Sequence, residues 1–145
     1  EITILTEAHD KLMGAISADG SQIAFARAVQ ADENSNGGVE WVLFDQSSQQ
    51  ETLLMTTDAT IAAGFGELSF SPDGRWLTID VVSDLPSQWG VWVISADGTK
   101  KNYLGISTRD PIWLDNEHLT ITAKLNGETH QQIYNVMTGE RSRYD

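Results

Sequence analysis

A short pattern that occurs three times constrains the fold of this chain more than any other feature. Each copy has a large apolar residue, then an acidic turn, then a strand of alternating apolar residues, a period typical of β-structure. The first two copies align without gaps and start 54 residues apart, and the third strand follows the second by 42 residues. The three copies are Ile16–Phe25, Phe70–Ile79 and Trp113–Ile121.

Each copy continues into further strands, which predicts a four-stranded repeating unit. A polar loop leads to a second apolar run, and another turn leads to a short closing strand. The second runs are Val39–Phe44, Gly90–Ile94 and Gln132–Val136, and the closing strands are Glu51–Met55, Asn102–Ile106 and Arg141–Tyr144. The pattern predicts an all-β, β-propeller-like fold with about three four-stranded antiparallel blades. In the first two units the second run is apolar on both faces, as expected for stacked sheets.

The turns of the first two units resemble a known signature. Ser17-Ala-Asp-Gly20 and Phe70-Ser-Pro-Asp-Gly74 are similar to the W/F-S-P-D-G motif of TolB-type, WD40-like β-propeller repeats. Val91-Trp-Val-Ile-Ser-Ala-Asp-Gly98 resembles the third strand and following turn of the same repeats. The third unit departs, with Leu114-Asp-Asn116 in the turn. The resemblance covers residues 16–144 and implies a propeller fold in an extracytoplasmic bacterial protein, periplasmic or secreted.

The repeats predict how the chain is divided. We expect one propeller segment over residues 1–145, with a leading strand and connection at 1–15 and blades at 16–56, 68–106 and 112–145. Within the first stretch, Ile2–Leu5 resembles a closing strand. Propellers have about four to eight blades. Three alternatives remain: a piece of a longer propeller, copies that associate to complete a ring, or an open stack.

Charge and composition exclude several function classes. The chain has 21 Asp+Glu against 9 Lys+Arg, a formal net charge of −12, and no cysteine. This charge disfavours nucleic acid and anionic membrane surfaces as partners. No apolar run is long enough to insert into a membrane, and no nucleophile elbow, phosphate loop or HExxH motif occurs. We therefore expect no catalytic residues in this chain, and a protein partner, further blades or another copy as its partner.

The longer connections between strands are the expected place for a binding site, because loops on a rigid scaffold concentrate binding residues. In the predicted strand order these connections share one rim of the blades. They are 7–15, 31–38, 57–67, 83–89, 107–110 and 126–130. The candidate residues for a ligand or partner on this rim are Asp84, Trp89, Asp110 and His130.

One of these connections resembles a calcium-binding loop. The run from Asp32 to Glu40 reads D-x-N-x-N-G-x-x-E, so side-chain oxygens recur at Asp32, Asn34, Asn36 and Glu40. Alternate residues of a tight turn can converge on one calcium ion. The other interpretation is a solvated hairpin loop rich in turn-forming residues. The position at which an EF-hand places its bidentate Glu holds Leu43.

Two further residues stand out from their surroundings. Trp89 lies in a loop without periodicity, where an indole either anchors a partner or sugar or covers the edge of its own blade. Arg27 stands at a strand position where the other units have Val81 and Ala123. A buried guanidinium needs a carboxylate, so we predict an inter-blade ion pair with Asp80 or Asp110.

Three functions are compatible with these features. The first is a non-catalytic propeller segment that binds a protein or ligand through its long-loop rim. The second follows from resemblance, since similar propellers precede the catalytic domain of prolyl-oligopeptidase-like serine peptidases; the catalytic residues would then lie outside this chain. The third is a calcium-dependent or carbohydrate-binding module that uses residues 32–40 and Trp89.

Overall fold

The computed structural model describes residues 11–34, 36–58, 67–83 and 85–144, with only the backbone of 11–13. In these residues the chain is all β-strand, turn and loop, and none of it forms a helix that would reach across a membrane. The strands are β1 Lys11–Ile16, β2 Gln22–Val29, β3 Gly38–Asp45, β4 Gln50–Thr57, β5 Leu68–Phe70, β6 Trp76–Val81, β7 Gly90–Ser95, β8 Lys101–Gly105, β9 Ile112–Trp113, β10 His118–Leu125, β11 Glu128–Asn135 and β12 Arg141–Arg143.

The strands form three four-stranded antiparallel sheets, β1–β4, β5–β8 and β9–β12, which we name blades 1, 2 and 3. In each blade the strands pair in chain order as a meander. The predicted all-β partial propeller is confirmed at this level. Strand β1 occupies residues that the sequence argument assigned to a connection. Gly14 and a register shift between Lys11 and Met13 interrupt the alternation that would have revealed it. The predicted strand Ile2–Leu5 lies outside the described residues.

The acidic turns owe their shape to one hydrogen-bond arrangement. In the turn between β5 and β6, the Ser71 hydroxyl donates to Asp73 Oδ1 at 2.8 Å and accepts from the Trp76 N–H at 3.0 Å. Gly74 has φ of 73°, a left-handed conformation that suits glycine, and its N–H bonds the Ser71 carbonyl. The same contacts recur in the turns Ser17–Gly20 and Ser95–Gly98. The Ser-x-Asp-Gly sequence therefore closes three separate hairpins.

The turn between β9 and β10 closes without serine or glycine. Asp115 Oδ1 accepts hydrogen bonds from the backbone N–H groups of Glu117 and His118, both at 2.8 Å. The His118 ring nitrogen Nδ1 lies 2.9 Å from Asp115 Oδ2. One carboxylate thus satisfies the donors that two side chains satisfy in the other turns, which explains how the divergent unit keeps the same topology.

The core lies between the blades, because each strand sends alternate side chains to opposite neighbours. Leu77 and Ile79 of β6 pack with Trp41 of blade 1, whereas Trp76 of the same strand packs with Leu119 of blade 3. Blade 2 is therefore apolar on both faces, as the sequence predicted for stacked sheets. The Trp113 indole N–H donates to the Ser69 carbonyl at 3.3 Å and joins the inner strands of blades 2 and 3.

Arg27 pairs within its own blade and does not have the predicted partners Asp80 or Asp110. Its Nε lies 2.7 Å from Glu40 Oε2 and its Nη1 lies 2.9 Å from Glu51 Oε2. The reason is the register, which places Glu40 of β3 directly opposite Arg27 of β2. The pair lies on the face of blade 1 that points away from blade 2, together with Phe25, Val42 and Phe44.

Candidate functional site

The meander places the short turns at one end of the blades and the longer connections at the other, which we call the long-loop rim. The rim connections are residues 30–37, 58–67, 82–89, 106–111 and 126–127. The last is shorter than predicted. Asn126 and Gly127, with φ of 52° and 84°, form a two-residue hairpin turn. His130, which was expected in this loop, therefore lies in strand β11. Asp84 lies outside the described residues.

A cavity of about 290 Å³, which we call the blade 1–2 cleft, opens on this rim. Gln88 closes it from blade 2: its side-chain oxygen accepts from the Asp58 N–H at 3.1 Å, and its side-chain nitrogen lies 3.4 Å from Asp58 Oδ2. From blade 1 the lining includes Gly37, Glu40 and Thr57. The cleft thus joins the candidate calcium loop to the loop that contains Trp89.

Two of the four candidate calcium ligands have other partners in this structure. Asp32 Oδ1 accepts from the Asn34 N–H at 2.8 Å, which is the hydrogen bond of an Asx turn. The Glu40 carboxylate is held by Arg27, and Asn36 is exposed. Among the residues that the structure describes, no group of three or more His, Cys, Asp and Glu side chains is arranged to hold a metal. Asparagine is not among those residue types, so calcium binding by Asp32, Asn34, Asn36 and Glu40 stays a prediction.

An aromatic patch lies beside the blade 1–2 cleft and consists of Leu85, Trp89 and Tyr103. The Trp89 side chain is 42% exposed, and its backbone carbonyl accepts a hydrogen bond from the Tyr103 hydroxyl. The Tyr103 ring also packs on Trp92, with ring centroids 4.8 Å apart. Trp89 is therefore held in place by its backbone while its indole stays available for contact, as the partner-anchor interpretation requires.

A second and wider cavity, which we call the blade 2–3 cleft, has a volume of about 800 Å³ and includes Glu67, Arg109 and Asp110 in its lining. Close to it, Asp80 points from β6 towards blade 3. Burial, together with the negative charges of Asp110 and Glu67, raises the pKa of the Asp80 carboxyl to about 6. From the sequence alone, Asp80 is predicted only as a partner for Arg27. The signal that could have identified it is an acidic residue near the end of a strand whose other residues, apart from Thr78, are apolar.

The structure distributes the predicted rim residues over separate places. Asp110 lines the blade 2–3 cleft and interacts electrostatically with Asp80. Trp89 belongs to the aromatic patch beside the blade 1–2 cleft. His130 faces neither cleft: it lines a small pocket of blade 3, and its Nε2 lies 3.5 Å from Glu128 Oε2. The rim therefore carries two distinct acidic clefts.

Comparison with known proteins gives structural likenesses alone. No family model and no curated protein matches this chain. An oligogalacturonate lyase in complex with manganese has a TM-score of 0.71 at 11% identity, covering 97% of this chain and 44% of that one. TolB from Acinetobacter baumannii has a TM-score of 0.56 at 15% identity, covering 93% and 32%. The β-propeller domain of the Trilobed protease from Pyrococcus furiosus has a TM-score of 0.59 at 17% identity, covering 93% and 43%.

These likenesses concern the fold. The chain spans less than half of the length of each of these three proteins. Its three sheets correspond to part of their structures, and at 11–17% identity the similarity extends to architecture and no further. The chain has the fold of a partial β-propeller, similar to the propellers of TolB and of the Trilobed protease.

Proposed function

We propose that this chain is a non-catalytic β-propeller segment that binds a protein partner through its long-loop rim. The observation that carries the proposal is the blade 1–2 cleft, in which Gln88 from one blade closes a cavity against Asp58 and Glu40 from another. Loops that meet across rigid sheets present a preformed surface, which reduces the entropy lost when a partner binds.

The charge of the two clefts favours a basic segment as the partner. Acidic residues line both cavities: Asp58 and the Arg27-paired Glu40 line one, and Glu67 and Asp110, together with Arg109, line the other, with Asp80 beside it. The whole chain has a net charge of −12, which attracts a basic partner over a distance of about one Debye length. A Lys or Arg side chain would also stabilise the ionised form of Asp80.

Binding of basic peptides tests this proposal. We expect a fluorescein-labelled lysine-rich peptide to bind, an acidic peptide of equal length not to bind, and the affinity to fall as salt rises. Asp58→Asn and Asp110→Asn should each weaken binding several-fold, because each removes one carboxylate from a cleft. Glu140→Gln, on the opposite rim, is the charge-matched control. Equal losses in all three variants would show that net charge alone attracts the peptide and would contradict a site on the rim.

A second candidate function is the propeller of a serine peptidase whose catalytic domain lies outside this chain. It is favoured by the likeness to the Trilobed protease propeller and to AtxE2 isopeptidase, the latter with a TM-score of 0.65 at 15% identity over 94% of this chain. A G-x-S-x-G segment encoded beyond residue 145 in the parent gene would support it, and a stop codon directly after Asp145 would contradict it.

A third candidate is carbohydrate or calcium-dependent ligand binding, favoured by the exposed indole of Trp89 beside the blade 1–2 cleft. A glycan array with and without calcium tests it, with Trp89→Ala as the variant that should lose binding.

For the compartment we propose an extracytoplasmic location, which the likeness to TolB supports. Fractionation of cells that express the parent protein tests the location.

A further inference from the structure

A pocket of about 280 Å³ lies on blade 3, apart from both acidic clefts. The register of the sheet builds it. His130 and Gln132 are two residues apart in β11 and therefore share a face of the sheet, and Arg143 of β12 lies directly opposite Gln132. These side chains therefore point to the same face, the one that packs against blade 2 through Tyr134. The lining is Leu125, His130, Gln132, Arg141, Ser142 and Arg143.

This pocket contains an unsatisfied polar atom. The side-chain oxygen Oε1 of Gln132 is buried and has no hydrogen-bond partner among the described residues. A buried acceptor without a donor destabilises a fold, and such groups in native proteins call for an explanation. A bound molecule that donates an N–H or O–H to this oxygen would supply the missing partner.

The lining is also positively charged, in contrast to the rest of the chain. Arg141 and Arg143, two of the nine Lys and Arg residues of the chain, line the pocket. One Nη of Arg141 donates to the Leu104 carbonyl at 2.9 Å, and its guanidinium lies 5.8 Å from the centre of the Tyr134 ring. The guanidinium is thus oriented, and among the described residues its other N–H groups have no further hydrogen-bond partner, so that they can bind an anion.

We propose that this pocket binds a carboxylate that has a neighbouring N–H or O–H donor and a small apolar group. The carboxylate bonds the Arg141 guanidinium, because planar guanidinium binds carboxylate in a bidentate manner, and Arg143 adds a second positive charge to the lining. The donor bonds Gln132 Oε1, and the apolar group contacts Leu125. A free N-acylated amino acid and the C-terminus of a peptide share this chemistry. The proposal is independent of the rim function, since the two sites attract ligands of opposite charge.

Side-chain NMR of the full chain tests the pocket with defined probes. We expect N-acetyl-L-leucine to shift the signals of the Gln132 side-chain amide and of Arg143 Nε, whereas neutral N-acetyl-L-leucinamide leaves them unchanged. A tetrapeptide that ends in leucine, with a free or an amidated C-terminus, distinguishes the sources. Tighter binding of the free-ended peptide assigns the pocket to chain termini, and equal binding assigns it to a small acid. Equal shifts from the acid and the amide would overturn the proposal.

Two variants separate binding from folding. Arg143→Gln should weaken N-acetyl-L-leucine binding several-fold, because it removes one positive charge from the lining, while Arg75→Gln, a control on the short-turn rim, keeps it. Gln132→Leu should raise the temperature of unfolding, because it removes the unsatisfied oxygen, and should weaken binding at the same time. A variant Gln132→Leu that is less stable than the wild type, or an Arg143→Gln variant with unchanged affinity, would contradict the assignment.

Discussion

Single hydroxyl groups hold the ends of the hairpins together. The hydroxyls of Ser17, Ser71 and Ser95 each donate to an aspartate within the turn and accept from the N–H of the residue that opens the next strand or directly precedes it. The aspartates respond to these donors. Hydrogen bonds from Ser95 and Thr99 lower the pKa of the Asp97 carboxyl to about 2. The hydrogen bonds of the turn therefore stabilise the ionised form of each aspartate, which makes these carboxylates unsuited to acid–base chemistry.

The most buried of these serines gives the first prediction. Ser71→Ala should lower the free energy of unfolding by about 1–3 kcal/mol, because the Trp76 N–H loses its acceptor in a buried place. Urea unfolding measures the loss. Ser47→Ala, an exposed hydroxyl in another turn, should change it by less than about 0.5 kcal/mol. A Ser71→Ala variant as stable as the wild type would show that the backbone alone holds the turn.

Asp80 gives a prediction about pH. Its pKa is near 6 in the folded chain and 3.8 is its ordinary value, so the folded state binds a proton more tightly than the unfolded state. This contribution favours folding below about pH 4 and is lost as the pH rises through about 6. Asp80→Asn should therefore stabilise the chain at pH 7.5 by about 1 kcal/mol, after allowance for the partial exposure of the carboxyl.

Thermal unfolding of Asp80→Asn and the wild type at pH 7.5 and pH 4.0 measures this effect. The difference between the two proteins should be largest at pH 7.5 and close to zero at pH 4.0. Asp110→Asn is the matched variant, because it removes a neighbouring charge and should lower the pKa of Asp80. A gain in stability of equal size at both pH values would show that the effect of Asp80→Asn is unrelated to ionisation.

At the scale of strands and loops, the sequence predicted those turns and strands whose conformation depends on nearby residues alone. The Ser-x-Asp-Gly turns and the period-2 strands that follow them place β2 and β6 within one residue. Two predictions of loops were wrong, since residues 11–15 form most of β1 and His130 lies in β11. In the first case an irregular register hides the alternation. In the second, an Asn-Gly turn is short enough to let the strand begin early.

The candidate sites show where sequence reasoning ends. The acidic residue Asp110 was identified from its loop, but its position beside Asp80 depends on how blades 2 and 3 pack. The partner of Arg27 depends on register: a shift of one residue would turn Glu40 to the opposite face. Pairings between distant residues depend on how whole sheets align and pack. The residue pattern within one strand carries no information about this packing.

The ion pair of blade 1 gives a prediction about the candidate calcium loop. Because Arg27 neutralises Glu40, Arg27→Met should increase the affinity of the loop for calcium several-fold, if Glu40 is a ligand as the sequence predicted. Isothermal calorimetry with the wild type and the variant measures the change, and Asp32→Ala in each background should abolish the heat. The same calcium affinity with and without Arg27 would exclude Glu40 from the ligand set.

At the scale of the whole molecule, the outward face of blade 1 is built like the interior faces. Counted from their turns, Ile23 and Phe25 of blade 1 occupy the positions of Leu77 and Ile79, which pack between blades 1 and 2. Beside them on this outward face, Ile16 is 66% and Leu53 is 53% exposed. Such a face favours contact with a further blade, from the same polypeptide or from another copy.

The isolated chain therefore gives a prediction about association. We expect light scattering after size-exclusion chromatography to give a molar mass above that of one chain, because Ile16 and Leu53 expose apolar surface on the outward face of blade 1, although Phe25 and Val42 on the same face are buried. The double variant Ile16→Glu/Leu53→Glu should reduce the mass to that of a single chain. Met137→Glu, an exposed apolar residue on the short-turn rim, is the control and should associate like the wild type. A wild-type chain that is monomeric at high concentration would contradict this use of the face.

The meander of each blade has a consequence for how the protein is made. Within each blade, every described strand pairs only with the strands next to it in the chain, so a blade is complete as soon as its own residues have left the ribosome. Contacts between residues close in sequence form fast, and a stacked array gains stability as each unit is added to the one before it. Blade 2, which shares a core with both neighbours, gains its second apolar contact only when blade 3 emerges. Synthesis and assembly of the array therefore proceed in the same direction, from the first blade to the last.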